Sequence, residues 1–218
     1  MKARLLSRTP LHYPDGASQA DDRPAFVRAA SGLCWFGDEL CIVQDDTSFL
    51  ALFSAQRGLR CLPLPRGAGG RRRFEDALGN RLHKPDLEAL VTVPTARGPR
   101  LLAFGSGSLP LREVVAVIDP GSGQAEFIGA MTFCQRLRDT LELGPDDLNV
   151  EGAALLGDRL RFFQRRPSAS IDVDVAAFVD WLLDAGERPS PPLSNRRDYE
   201  LGSRSGVPFG FTDASALD

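Results

Sequence analysis

The sequence predicts a mainly β protein whose strands repeat along the chain. A pattern of two short apolar strands joined by a polar turn occurs over residues 31–43, 87–104 and 149–163. In two copies the turn is Gly37-Asp38 or Gly157-Asp158. Glycine accepts positive φ and aspartate bonds its own backbone, so this pair is typical of the two-residue turn of a β-hairpin. The apolar runs are nearly continuous, which favours strands covered on both faces.

The spacing of the copies predicts how they are arranged. They follow one another at roughly 60 residues, and such a period of short strands is typical of small sheets repeated around an axis. At one equivalent position they carry a polar residue followed by a small one: Ser31-Gly32, Glu88-Ala89, Glu151-Gly152 and Asp213-Ala214. A β-sandwich is the competing fold, but it has no reason to repeat its sequence at a fixed interval. The sequence therefore predicts a β-propeller of four-stranded antiparallel blades.

The repeat divides a single domain, residues 1–218, into blades. Their predicted bounds are 26–65, 86–133, 147–202 and, for a partial fourth blade, 206–218. The strands expected in the first blade are 31–36, 40–44, 49–54 and 59–64. Residues 5–11 are predicted to form a strand that completes the last blade and closes the ring. The last repeat ends just past its first strand, so we expect an unpaired blade edge through which the protein self-associates.

Short helices are predicted in the loops between strands. Their expected ranges are 74–82, 132–143 and 174–185, and Gly186 is the expected C-cap of the last one. The apolar stripes of the second and third helices are Phe133, Leu137 and Leu141, and Phe178, Trp181 and Leu182. Trp35 and Trp181 are both expected in the core, because their neighbours are apolar.

Composition narrows the function classes. The 218 residues include 26 basic and 29 acidic ones, and a net charge of −3 does not favour binding to nucleic acid or to a membrane. No apolar run is long enough to span a bilayer, and the N-terminus lacks the apolar core of a signal peptide. These features predict a cytoplasmic protein. The four cysteines show no Cys-x-x-Cys spacing, so buried free thiols are expected.

The equivalent polar residues form the candidate site. The first strand of every blade lines the channel of a propeller, so Ser31, Glu88, Glu151 and Asp213 are expected to meet there. They can cap neighbouring backbone amides, or they can bind a ligand or cation, since closely spaced carboxylates repel one another without a positive charge between them. The three carboxylates are the candidate metal ligands, and calcium fits such hard oxygen donors best.

Four further residues are candidate ligand-binding groups beside Ser31. Asn149 lies close in sequence to Glu151, and Asp86 lies close to Glu88. Arg165 and Arg166 can hold an anionic ligand, or they form an exposed pair in a loop.

No catalytic constellation of a familiar kind is evident. The two histidines, His12 and His83, lie outside any Gly-x-Ser-x-Gly elbow, and neither is at ligand spacing from a cysteine pair. Serine hydrolysis and a zinc site are therefore disfavoured. The sequence favours a protein that binds a small ligand or a cation in its channel. The alternative is a calcium-assisted hydrolase of an ester, lactone or phosphoester.

Four motifs carry a family resemblance: Lys84-Pro85-Asp86-Leu87-Glu88-Ala89-Leu90, Phe104-Gly105-Ser106-Gly107-Ser108, Asn149-Val150-Glu151-Gly152-Ala153 and Gly206-Val207-Pro208-Phe209-Gly210-Phe211-Thr212-Asp213-Ala214. With them, residues 30–217 resemble an uncharacterised bacterial β-propeller family. The chain is similar, more distantly, to the esterase-like phytase and gluconolactonase-type propellers. The resemblance implies a propeller with a cation in its channel, and it implies that this chain ends one blade early.

Overall fold

Three four-stranded antiparallel sheets form most of the computed structural model, which describes residues 4–184 and 189–216. In each sheet the strands lie in chain order. The first sheet contains β1 Ala30–Phe36, β2 Glu39–Gln44, β3 Phe49–Ser54 and β4 Gly58–Pro63. The second contains β5 Leu87–Val93, β6 Arg100–Gly105, β7 Val114–Asp119 and β8 Gln124–Gly129. The third contains β9 Val150–Leu156, β10 Arg159–Gln164, β11 Ala169–Asp174 and β12 Leu193–Asp198.

Two helices and a small hairpin complete the described regular structure. Helix α1, Met131–Leu141, joins the second sheet to the third, and helix α2, Val175–Leu183, joins β11 to β12. The hairpin consists of β13 Ser203–Arg204 and β14 Val207–Pro208. Neither helix is long and apolar enough to cross a membrane, within the part of the chain that was described.

The mainly β class and the hairpin repeat are confirmed. All four strands of the first sheet lie within one residue of their predicted ends. The two predicted turns have φ values of 61° at Gly37 and 62° at Gly157, the left-handed region that glycine adopts without strain. The register confirms two-residue loops, because Phe36 pairs with Glu39 and Leu156 pairs with Arg159.

The apolar faces of the sheets pack against one another in sequence order. Val43, Leu50 and Leu52 of the first sheet contact Leu90 and Ile118 of the second in one buried cluster. A larger cluster lies between the second and third sheets and includes both helices. The first strands of successive sheets, β1 with β5 and β5 with β9, are in contact.

The second cluster is rich in aromatic rings. Phe178 of α2 lies with its ring centroid 4.8 Å from Phe133 and 5.6 Å from Trp181. The predicted stripes are confirmed, since the apolar residues expected to face the core from α1 and α2 are all buried. Asp174 begins α2 as an N-cap, its Oδ1 accepting the backbone N–H of Ala177 at 2.9 Å. The expected helix end at Ala185 and its cap Gly186 lie outside the described residues.

The prediction of a closing strand at residues 5–11 is wrong. The structure assigns no strand there, and Leu5 and Leu6 are 80% and 84% exposed. The only apolar pair in this segment lies beside charged residues, so the segment has too little apolar surface to pay for ordering as a strand. Residues 11–27 instead cover the outer face of the first sheet, where Tyr13 is buried against Ile42 and Leu59.

Three smaller expectations are also corrected. Residues 74–82 form two short 3-10 turns, Asp76–Leu78 and Arg81–His83, rather than a helix. No strand is assigned in residues 209–216 of the fourth repeat, and its last residues, Leu217 and Asp218, lie outside the described chain. Trp35 is 64% exposed and not part of the core, because the outward face of β1 is uncovered there.

Glycine at the equivalent small position lets neighbouring segments approach closely. A Cβ on Gly32 would lie 3.0 Å from the backbone N of Leu90, and a Cβ on Gly152 would lie 2.8 Å from the backbone N of Ala214. The neighbours are backbone atoms, which cannot move aside as a flexible side chain can. The predicted role of a small residue there, close approach of successive repeats, agrees with these distances.

We expect Gly152→Ala to lower the free energy of unfolding by about 1–3 kcal/mol, because the added methyl group overpacks against Ala214. Chemical denaturation measures this change. Gly129→Ala is the matched control, since its Cβ would meet no heavy atom within 4 Å. Equal losses in the two variants would contradict the close approach of Asp213 and Ala214 to β9.

Candidate functional site

A β-bulge in each sheet falls on the equivalent polar residue. The register of β1 and β2 shifts between Ala30 and Gly32, which leaves Ser31 as the extra residue. The same shift leaves Glu88 unpaired in β5, and in the third sheet it leaves Glu151 unpaired in β9. A bulge redirects the side chain of the extra residue away from the regular alternation of a strand. The three sheets therefore direct these three side chains by the same local device.

The bulged residues meet at one cavity of about 440 Å³. Asp213 joins them there, so the structure brings together all four positions that the repeat made equivalent. The acidic residues that line this central cavity are Asp45, Glu88, Glu151 and Asp213, and no basic residue of the described chain lines it. The cavity wall thus presents four carboxyl groups without a positive charge of its own.

Glu88 is the carboxyl group of the cavity whose ionisation is the least favourable. Burial raises its pKa to about 8, and repulsion from Asp86, Glu151 and Asp45 adds to that rise. Lys84 opposes the rise but does not cancel it. Within residues 4–184 and 189–216, the Glu88 carboxyl makes no hydrogen bond or ion pair. Near neutral pH this group therefore holds a proton.

The carboxylates nearest to Glu88 are already neutralised. Oxygens of Asp45, Asp86 and Glu88 lie within 4.8 Å of one another, the one group of that kind found in the described chain. The Lys84 ammonium binds both aspartates and lies 2.8 Å from Asp45. Asp86 also pairs with Arg112 at 2.8 Å and accepts the Ser106 hydroxyl at 2.6 Å. A further cation is therefore needed less at the two aspartates than at Glu88.

Glu151 is held by its neighbours in the third sheet. Its Oε1 accepts the side-chain amide of Asn149 at 2.8 Å and pairs with Arg165 at 2.7 Å. Burial raises the pKa of Glu151, and the Arg165 guanidinium works against that rise. Asn149 and Arg165, both predicted to contact a ligand, thus orient a cavity carboxylate. Arg166 points elsewhere and donates to the backbone oxygen of Pro208 at 2.6 Å.

Asp213 links the end of the described chain to β1. Its Oδ1 accepts the backbone N–H of Ala214 at 2.7 Å, and the backbone N–H of Leu33 is near enough to lower its pKa. Burial raises the pKa of Asp213, while these two amides oppose the rise. Asp213 and Ala214 therefore lie between β9 and β1, and the Asp213 carboxylate caps a backbone amide, as the simpler interpretation expected.

Ser31 also has a structural bond. Its hydroxyl donates to the backbone oxygen of Leu87 at 2.5 Å and so ties β1 to β5. The hydroxyl proton is used by this bond, but the oxygen keeps lone pairs that can face a cation. The predicted residues thus differ in availability, and Glu88 is the one whose carboxyl group has no other described partner.

Asp45 is the cavity residue that the sequence argument did not select. It directly follows Gln44, the last residue of β2. In an antiparallel pair the end of one strand lies beside the start of its partner. The pairing of Ala30 with Gln44 places Asp45 at the same end of the sheet as Ser31. This rule could have identified Asp45 from the hairpin alone.

Comparison with known proteins places the chain in a family. No curated protein matches it. The profile of a family of unknown function, DUF6929, matches residues 26–218, which include all three sheets and every acidic residue of the central cavity. The protein therefore belongs to the DUF6929 family of unknown function.

Proposed function

We propose that the three sheets are blades of a β-propeller and that the protein binds a cation, calcium by preference, in the central cavity. The observation that carries this proposal is the Glu88 carboxyl group, half-enclosed, without a described partner and beside other acidic groups. Deprotonating it costs free energy in the empty cavity, and a bound cation offsets that cost. The resemblance to phytase and gluconolactonase-type propellers supports the same expectation.

Calcium suits this donor set better than a transition metal. The cavity offers carboxylate and hydroxyl oxygens, and neither histidine nor cysteine lines it. Calcium takes six to eight oxygen ligands in flexible geometry, whereas magnesium demands a smaller and more regular site. In this proposal Glu88, Glu151 and Asp213 supply carboxylate oxygens, and Ser31 contributes its hydroxyl oxygen. Water fills the positions that the chain leaves open.

The test is a calcium titration measured by calorimetry, at pH values below and above 8. Calcium competes with the proton on Glu88, so binding should tighten as pH rises through about 8. Glu88→Gln should weaken binding at least tenfold and remove this pH dependence. Glu126→Gln, at an exposed position of β8, is the control and should bind as the parent does.

Two results would overturn the cation proposal. One is the absence of both heat and thermal stabilisation with calcium at millimolar concentration, the weak end of protein calcium sites. The other is binding that Glu88→Gln and Glu126→Gln leave equally intact. Magnesium titration in parallel shows whether the site selects by size.

The carboxyl groups of the central cavity also favour a second candidate function, a calcium-assisted hydrolase. A calcium ion held by Glu88, Glu151 and Asp213 can polarise an ester, lactone or phosphoester oxygen. A panel of these three substrate classes, with and without calcium, tests it. Turnover that depends on calcium and is lost in Glu88→Gln supports hydrolysis. Binding of calcium without turnover on the panel leaves the cation-binding function alone.

A further inference from the structure

A second cavity, of about 420 Å³, lies where the β13–β14 hairpin contacts the turn after β10. Arg165 and Arg166 belong to that turn, and Arg204 belongs to the hairpin. Among residues 4–184 and 189–216, no acidic residue lines this arginine cavity. Thr212 lines both this cavity and the central one, so the two cavities are neighbours of opposite charge.

The positive charge of the arginine cavity is only partly balanced. Arg165 pairs with Glu151 in the adjacent central cavity. Arg166 bonds the backbone oxygen of Pro208, which brings no negative charge. Arg204 makes no ion pair with any acidic residue among those that the structure describes. Two of the three guanidinium groups thus have no counter-charge from the described residues, and an anion between them would supply it.

The segments that carry the arginines are held together by close contacts. A Cβ on Gly210 would lie 2.7 Å from the backbone oxygen of Arg165, so the chain passes directly over the turn. The Ser168 hydroxyl donates to the Arg165 backbone oxygen at 2.9 Å. The Arg166 guanidinium is fixed to the hairpin by its bond to Pro208. Such preorganisation reduces the entropy that binding would otherwise cost.

We propose that this arginine cavity binds the phosphate group of a small organic molecule. Three guanidinium groups supply several planar pairs of N–H donors, which match a phosphate with its three acceptor oxygens and double charge. Apolar surface for the organic part is present, since Val207 and Phe209 at the cavity are 56% and 50% exposed. A volume of about 420 Å³ is within the range typical of sites for small organic ligands. The site does not depend on the cation proposed for the central cavity.

Calorimetry with phenyl phosphate, inorganic phosphate, benzoate and phenol tests the proposal, in buffer without calcium. We expect the protein to bind phenyl phosphate more tightly than inorganic phosphate or benzoate and not to bind phenol. Affinity should fall as salt rises, because the contacts are ionic. Arg166→Gln and Arg204→Gln should each weaken phenyl phosphate binding about tenfold or more.

Arg97→Gln is the matched control. It removes one exposed positive charge from the β5–β6 turn, outside the arginine cavity, and should leave affinity unchanged. Thermal melting of each variant checks that the fold is retained, which we expect for Arg204 at an exposed position of β13. The proposal is overturned if phenyl phosphate does not bind or if Arg97→Gln weakens binding as much as Arg204→Gln does. If benzoate binds more tightly than phenyl phosphate, the choice of phosphate is overturned. If inorganic phosphate binds as tightly as phenyl phosphate, the claim that the cavity recognises an organic group is overturned.

Discussion

Replacing Phe178 by alanine is expected to lower the free energy of unfolding by about 3–5 kcal/mol, the usual cost of deleting a buried aromatic ring. Phe178 is fully buried, at 0% exposure. Its ring centroid lies 5.9 Å from both Phe104 and Phe162, and 4.8 Å from Phe133. The second sheet, the third sheet and α1 all contribute to this contact, so the cavity left by the ring cannot close by moving one element.

Urea denaturation followed by circular dichroism measures this loss. A domain of this size is typically stable by about 5–15 kcal/mol, so the variant should unfold at much lower denaturant concentration. Leu82→Ala is the control, because Leu82 is 69% exposed and its replacement should change stability by no more than about 0.5 kcal/mol. A loss in Phe178→Ala as small as in this control would show that the two sheets are not joined through the aromatic cluster.

Replacing Glu88 by glutamine is expected to stabilise the protein at high pH. The folded protein holds the Glu88 proton with a pKa of about 8, whereas the ordinary value is 4.5. The stabilising contribution of this proton is therefore complete below pH 4.5 and is lost as pH rises to about 8. Glutamine carries no charge at either pH. Above pH 8 we expect the variant to be more stable by about 2 kcal/mol, a figure discounted for solvent screening of a partly exposed group.

This difference in stability is measured by chemical denaturation of the parent and of Glu88→Gln from acid to alkaline pH. A calcium chelator is present throughout. The two proteins should be equally stable in acid and should diverge as pH rises toward about 8. Glu126→Gln, exposed on β8, should follow the parent throughout. Parallel curves for the parent and Glu88→Gln would show that the central cavity does not raise the pKa of Glu88.

Local features of the structure could be predicted from the sequence because residues close together in the chain determine them. The turn at Gly37 follows from the φ that glycine permits, and it sets the register of β1 and β2. The apolar stripe of α1 follows from the helical period. Contacts between segments that are distant in the chain could not be predicted in this way. Trp35 is large and apolar and has apolar neighbours in sequence, as core residues do, but none of the described elements covers its face of β1.

The candidate site shows the same division. Alignment of the repeats could show that Ser31, Glu88 and Glu151 are equivalent, and the bulge at each one explains why they share a cavity. It could not show which side chains are already paired. The Lys84 ammonium beside Asp86 depends on the fold of the loop before β5, and the bond from Asn149 to Glu151 depends on side-chain orientation.

The amino-acid sequence by itself determined the repeated hairpins, their period and the set of equivalent polar residues, because these depend on turn chemistry and on alternation along each strand. Only the tertiary structure decided that residues 11–27 cover the first sheet and that Asp213 and Ala214 lie against β9. Only it decided that Glu88 lacks a described partner while Asp45 and Asp86 have one. The physical reason is that the burial of a side chain and its charge pairing depend on segments that lie far apart in the chain. A local sequence pattern does not show which of those segments meet.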